Sequence, residues 1–121
     1  MLHNIENIKR VRNAIAAAPP EGLKMGTWDC KTAACIGGWA NRAIDSTGEP
    51  RDLLGLDGWE GYQLFYMGNF SLASFDELPA ITRKAIAITV LDTLIETGKI
   101  DWGSALQYHL TEEQFSKMEM P

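Results

Sequence analysis

Apolar residues recur at spacings of three and four through the first eighteen positions. Ile5, Ile8, Val11 and Ile15 share one face, and Glu6, Lys9, Arg10 and Asn13 share the other, as side chains do on a half-buried helix. The pattern predicts an amphipathic helix over residues 4–18, capped by Asn4. Pro19-Pro20 stops it, since proline has no backbone donor and restrains the residue before it. Residues 21–27, with two glycines, read as a connection. A second helix is expected over residues 31–46 with Asp29 as its cap. Its small residues Ala33, Gly37, Ala40 and Ile44 form a stripe that lets another backbone come close. Adjacent Gly37 and Gly38 cost a helix about 1 kcal/mol each against alanine, and close packing is the expected compensation.

Residues 47–50 read as a turn, residues 51–56 as a short helix, and Asp57-Gly58 as the turn that ends it. Trp59, Tyr62, Leu64, Phe65, Tyr66 and Met67 predict another short helix, closed by Gly68 and Asn69. Residues 70–77 read as a loop, with Ser74 and Glu77 as a capping box and Pro79 in the first turn of the next helix. Residues 79–97 carry two apolar stripes: Ile81, Ala85, Ile88, Leu91 and Ile95, and beside them Ile86, Val90 and Leu94. A helix apolar over so much of its circumference is expected at the centre of the fold. Gly98 supplies its left-handed end. Residues 99–102 read as an extended link, residues 104–108 as a turn of helix, and Thr111 with Gln114 as the capping box of a last helix. No segment alternates with period two long enough to make a strand. The expected fold is all-α: a compact single domain, residues 1–121, of about five helices around the apolar helix at 79–97.

The 121 residues are 45% hydrophobic and 22% charged, which fits one globular domain and excludes a disordered chain. Area scaling gives roughly 6,500 Å² of folded surface against about 19,400 Å² unfolded, enough burial for a real core. No apolar run reaches the roughly 20 residues of a membrane span, and no signal peptide opens the chain. A cytoplasmic location without a membrane partner is therefore expected. The net charge of −5 argues against direct nucleic-acid binding. It is unevenly spread: residues 1–51 carry seven basic and five acidic groups, residues 52–121 four and eleven. The asymmetry suits a basic partner or head-to-tail self-association, although a plain solvated acidic surface also accounts for it.

Candidate chemistry concentrates between Trp28 and Ala40. Cys30 and Cys35 point about 140° apart in a regular helix, so they bond only if the chain folds back before it. Cys35, between alanine and isoleucine, reads as a buried apolar residue. Cys30, beside Lys31 and near a helix start, is the better candidate for a reactive thiol. No metal site or cofactor is expected, because His3 and His109 stand far from the cysteines and in no ligand motif. The Gly-x-Ser-x-Gly, His-Glu-x-x-His and P-loop signatures are missing, so no catalytic residue is assigned. Asp92 and Glu96, one helical turn apart, read as a solvated face. Trp28, Trp39, Trp59 and Trp102 are many tryptophans for this length. They serve either to complete a small core or, with Tyr62 and Tyr66, to build a binding pocket or surface from Trp28, Trp39 and Trp59.

The run Cys30-x-Thr32-x-x-Cys35-x-x-Gly38-Trp39-Ala40 resembles a core shared by small proteins of unassigned activity from bacteria, prophages and phages. In that group Cys-Gly-Thr-x-x-Cys-x-x-Gly-Trp follows an N-terminal helix. Leu53-Leu54-Gly55-Leu56 and Ile95 through Trp102 are similar to it as well, so the likeness spans residues 5–102. Lys31 stands where glycine is common. The resemblance brings no catalytic residues. It implies a setting among accessory genes of mobile elements, whose products bind and inhibit host proteins. The leading expectation is thus a non-enzymatic phage or prophage accessory factor that blocks a host protein, for example in a defence system such as CRISPR. The alternatives are a nucleotide-like small-ligand binder, a thiol redox protein centred on Cys30 and Cys35, and a homodimer joined through the aromatic segment.

Overall fold

A computed structural model describes residues 3–27 and 33–119. Helix α1 (Ile5–Ala17) begins where Asn4 accepts a hydrogen bond from the Asn7 backbone at 3.1 Å, and it buries Ile8, Val11 and Ile15. After a 3₁₀ turn at Pro20–Gly22 come α2 (Ile36–Ala43), α3 (Pro50–Leu53), α4 (Gly58–Tyr66) and α5 (Leu72–Asp76). The chain then forms α6 (Ala80–Thr97), α7 (Trp102–His109) and α8 (Glu112–Met118). The class is all-α, but eight α-helices among the described residues replace the expected five or so. Several are only one or two turns long, too short to leave a full period of apolar positions in the sequence. None is long and apolar enough to cross a membrane.

Long α6 is the axis of the packing, with α1 and α7 against it, and α2 lies across α1. The core draws Ile8, Ile36, Leu64, Phe75, Leu91, Leu106 and Met118 into one cluster. The accessible surface is 6526 Å², as expected for a compact chain of this mass. Of the two stripes on α6, the inner one is Ile86, Val90 and Leu94 with Ala87 and Leu91. Ile81 is 71% exposed, so the first stripe is largely its flank. Gly98 closes α6 in the left-handed region (φ 77°), while Pro79 stands just before the first turn, as the cap residue.

Several boundaries move for reasons outside local sequence. Helix α2 starts at Ile36 and not near residue 31, because Ala33–Cys35 is committed to other backbone. Lys24 N–H donates to Ala34 O at 3.2 Å, Ala34 N–H to Gly22 O at 3.0 Å, and Cys35 N–H to Thr27 O at 2.7 Å. Ala33 therefore precedes the helix, although Gly37, Gly38 and Ala40 are buried in it as the small-residue stripe implies. The expected cap Asp29 lies outside the described residues. Helix α3 stops at Leu53, since Gly55 turns left-handed (φ 71°) and delivers Leu54 and Leu56 to the core. Asp57 does not end that helix but starts α4. Residues 70–77 hold α5, whose cap is Ser71 and not Ser74: the Ser74 backbone donates to Ser71 Oγ at 3.1 Å. Trp102 is the first residue of α7 and not the end of an extended link. Thr111 and Gln114 form the capping box of α8.

A buried arginine joins the first connection to the α5–α6 corner. Arg83, only 6% exposed, donates from Nε to Leu23 O at 2.9 Å and from Nη1 to Leu78 O at 2.7 Å and Asp76 O at 3.3 Å. The Asp76 carboxylate in turn accepts the backbone N–H groups of Met25 and Gly26, each at 2.8 Å. A Cβ on Gly26 would stand 2.6 Å from Asp76 Oδ2, so any side chain there would push the carboxylate out of its present place in this clasp. Carbonyls left bare in the interior are costly, and Arg83 satisfies three of them.

Candidate functional site

Helix α4 has the sequence Gly-Trp-Glu-Gly-Tyr-Gln-Leu-Phe-Tyr, with glycines that weaken a helix when taken alone. A capping box starts it. The Asp57 carboxylate accepts from the Glu60 backbone at 2.8 Å, and Glu60 Oε1 accepts from the Asp57 backbone at 3.1 Å. The other Glu60 oxygen meets His3 Nε2 at 2.6 Å, which ties the helix to the start of the chain. The glycines make room for α3: a Cβ on Gly61 would stand 3.2 Å from Arg51 Cγ, so the arginine stem lies across the helix there. Gly61, Leu64 and Phe65 face the core.

The opposite face carries Trp59, Tyr62 and Tyr66, spaced by three and four residues. Their exposures are 66%, 44% and 49%. Trp59 and Tyr62 stack with centroids 5.5 Å apart and planes 23° from parallel, and Tyr62 and Tyr66 follow at 6.0 Å and 30°. The three rings make a continuous aromatic ladder in contact with water. Grooves border it. One, of about 310 Å³, runs between α4 and the start of α7 and is lined by Trp59, Gln63, Met67, Phe70, Asp101 and Trp102. Another, of about 410 Å³, is lined by Tyr62, Tyr66, Phe70 and Leu72. The chain turns away from the ladder through two consecutive left-handed residues, Met67 (φ 62°) and Gly68 (φ 57°).

Charges of both signs stand beside the ladder: Glu49 and Arg51 line a further groove with Tyr62 and Tyr66. In the groove between α4 and the start of α7, Asp101 caps α7. Hydrogen bonds from the Ser104 hydroxyl and the Ser104 backbone hold its carboxyl below the usual carboxylate range.

The other candidate residues go elsewhere. Trp39 is half-buried, its indole N–H donates to Gly22 O at 2.9 Å, and the Arg42 guanidinium stands 4.9 Å over its ring. Trp102 is buried, donating to Gln63 O at 2.9 Å and meeting Phe75 edge-on at 5.9 Å. Cys35 lies at the start of α2 and is 1% exposed. Trp28 and Cys30 lie outside the described residues. Asp92 pairs with Arg12, Nε to Oδ1 at 2.9 Å, joining α6 to α1. The Thr89 hydroxyl gives its one proton to Ala85 O at 2.9 Å, so His109 Nε2, 2.8 Å away, must be the donor to it. Among the described residues no three or more of His, Cys, Asp and Glu gather as a metal site would require.

Sequence reasoning passed over Arg83 and Asp76. For Arg83 a signal existed: the Ile86–Val90–Leu94 stripe, carried back one turn, lands on this arginine. Asp76 left none. Comparison with known proteins finds no match among family models, curated proteins or solved structures.

Proposed function

We propose that this chain is a non-enzymatic binding protein whose contact surface is the Trp59–Tyr62–Tyr66 face of α4. One observation carries the reading: three large aromatic side chains, stacked on one another, stand exposed on a helix whose other face is well buried. Water gains nothing from such a surface, and contiguous exposed apolar area is characteristic of interaction sites. Tryptophan and tyrosine are also the side chains that most often anchor protein interfaces, since each buries a large area and keeps a polar edge. The likeness of residues 30–40 to phage and prophage proteins supplies the setting. In it the chain is an accessory factor in a host cytoplasm that binds and blocks a host protein, such as a defence component.

The test is capture from host lysate by the immobilised chain, beside a variant carrying Trp59→Ala, Tyr62→Ala and Tyr66→Ala. The expected result is a protein retained by the parent and lost by the variant, with both showing the same helical circular dichroism. Equal capture by both would remove the α4 face from the function. A second reading, a planar nucleotide-like ligand stacked on Trp59, draws on the aromatic wall of the groove between α4 and α7. Its volume sits at the lower limit of ordinary ligand sites. Native mass spectrometry of the purified protein would reveal such a ligand as an added mass.

A further inference from the structure

Gly103 stands in the first turn of α7, where glycine weakens a helix relative to alanine. The backbone does not ask for it. Its φ is not left-handed, and a Cβ would meet Asp101 Oδ1 at 3.6 Å and Phe70 Cζ at 3.7 Å, both ordinary contacts. A methyl group would therefore fit, and it would narrow the groove between α4 and α7, which Gly103 lines. The missing side chain keeps a gap open between a carboxylate oxygen and an aromatic edge.

Resting on the small-ligand reading above, we infer that this groove takes an uncharged planar heterocycle with two adjacent N–H donors, as on the edge of guanine, seated over Gly103 with its donors on Asp101. The carboxylate is held for that task. Its Oδ1 accepts the Ser104 backbone N–H at 3.0 Å and its Oδ2 the Ser104 hydroxyl at 2.7 Å, so each oxygen keeps a free lone pair. Two parallel N–H bonds to one carboxylate add both strength and direction. Lys99, outside the groove's lining, already helps keep the carboxyl ionised, so the occupant has to bring donors and no charge. The lining includes no basic side chain, which argues against a phosphate. Gln63 and Asn69 place amides on the same groove for the remaining polar edge of a base. Trp59 supplies a wall: a ring has two faces, and Tyr62 stacks on one of them. A groove of about 310 Å³ suits a single base or nucleoside.

The experiment follows the backbone amide and indole NMR signals of the isotope-labelled full chain as guanosine is added. The expected result is saturable shifts centred on the Trp59 indole and the Gly103 amide. Inosine, which lacks only the exocyclic amine, should bind about ten-fold more weakly. Asp101→Asn keeps a cap of equal quality. It should weaken guanosine about ten-fold and remove its advantage over inosine. Gly103→Ala should raise the midpoint of urea unfolding and yet weaken guanosine, because the added methyl stands in the site. Guanosine and inosine bound alike, or undiminished guanosine binding by Asp101→Asn, would overturn the paired donors and leave the small-ligand reading standing. Tighter binding of guanosine monophosphate than of guanosine would overturn the uncharged occupant. A lower urea midpoint for Gly103→Ala would make the glycine a requirement of the helix and overturn its part in the site. No saturable shift with guanosine, inosine or the monophosphate would overturn both this inference and the small-ligand reading, while the lysate capture by the α4 face would stand or fall on its own.

Discussion

Helix α6 turns Ile86, Val90, Leu91 and Leu94 inward, where each is fully buried. Helix α4, with a larger share of large apolar and aromatic side chains, buries Leu64 and Phe65 and leaves Trp59, Tyr62 and Tyr66 in water. The contrast comes from their neighbours. α6 is flanked by α1, α7 and the turn after α1, so side chains around much of its girth meet protein. α4 packs against α3 and α2 and accepts the Trp102 indole N–H of α7 at Gln63 O, while Trp59, Tyr62 and Tyr66 on its outer face remain exposed. Apolar content thus measures what a helix offers for burial, and the packing decides which residues accept the offer. On α4 the unaccepted remainder is ordered into a stack.

The comparison yields predictions that run from core to surface. Arg83→Met should have the largest effect. It leaves the Leu23 and Leu78 carbonyls without their donor, at about 1–3 kcal/mol for each unsatisfied buried acceptor, seen as a lower midpoint in urea unfolding. Leu91→Ala on α6 should cost about 2–5 kcal/mol by opening a cavity, with the same measurement and an unchanged slope. Asp101→Ala removes the α7 cap and should cost about 0.5–2 kcal/mol at neutral pH.

That last effect is pH-dependent with a defined sign. The folded carboxyl titrates below its unfolded value near 4. Its contribution is therefore complete above about pH 4 and disappears as pH falls through the lower folded value. The parent should lose stability on acidification that the Asp101→Ala variant has already lost, so their unfolding midpoints should converge as the pH falls below the ordinary carboxylate range. Smallest of all, Trp59→Ala should change stability by no more than about 0.5 kcal/mol while abolishing partner capture. A loss as large as that of Leu91→Ala would erase the distinction between the two helices.

Much of the backbone plan was legible because its signals are local. Asn4 and Pro19 bracket α1, Gly98 ends α6, and Thr111 with Gln114 opens α8, each acting within four residues. The late start of α2 was not, since it depends on Ala34 bonding across to Gly22 and Lys24. Nor was α5, a single turn whose signal is Ser71 and whose one buried anchor is Phe75. The aromatic site was half legible. The spacing of Trp59, Tyr62 and Tyr66 already aligned them on one helix face. Only the fold, however, turns Trp39 toward Gly22 and Trp102 into the core, because those directions depend on distant carbonyl acceptors.

Met67 holds a backbone shape that costs a residue with a side chain about 1–2 kcal/mol, yet its own side chain is entirely enclosed, a gain of comparable or greater size. With the Asp57–Glu60 reciprocal bonds and His3 at the far end, α4 is fastened at head and tail. Its outward rings are consequently pre-positioned: little of the ordering penalty that usually opposes association, about 0.5–1.5 kcal/mol per mobile side chain, remains to be met on contact. Whatever docks here finds a finished template, and should engage it in a single fast step without a slow rearrangement afterwards.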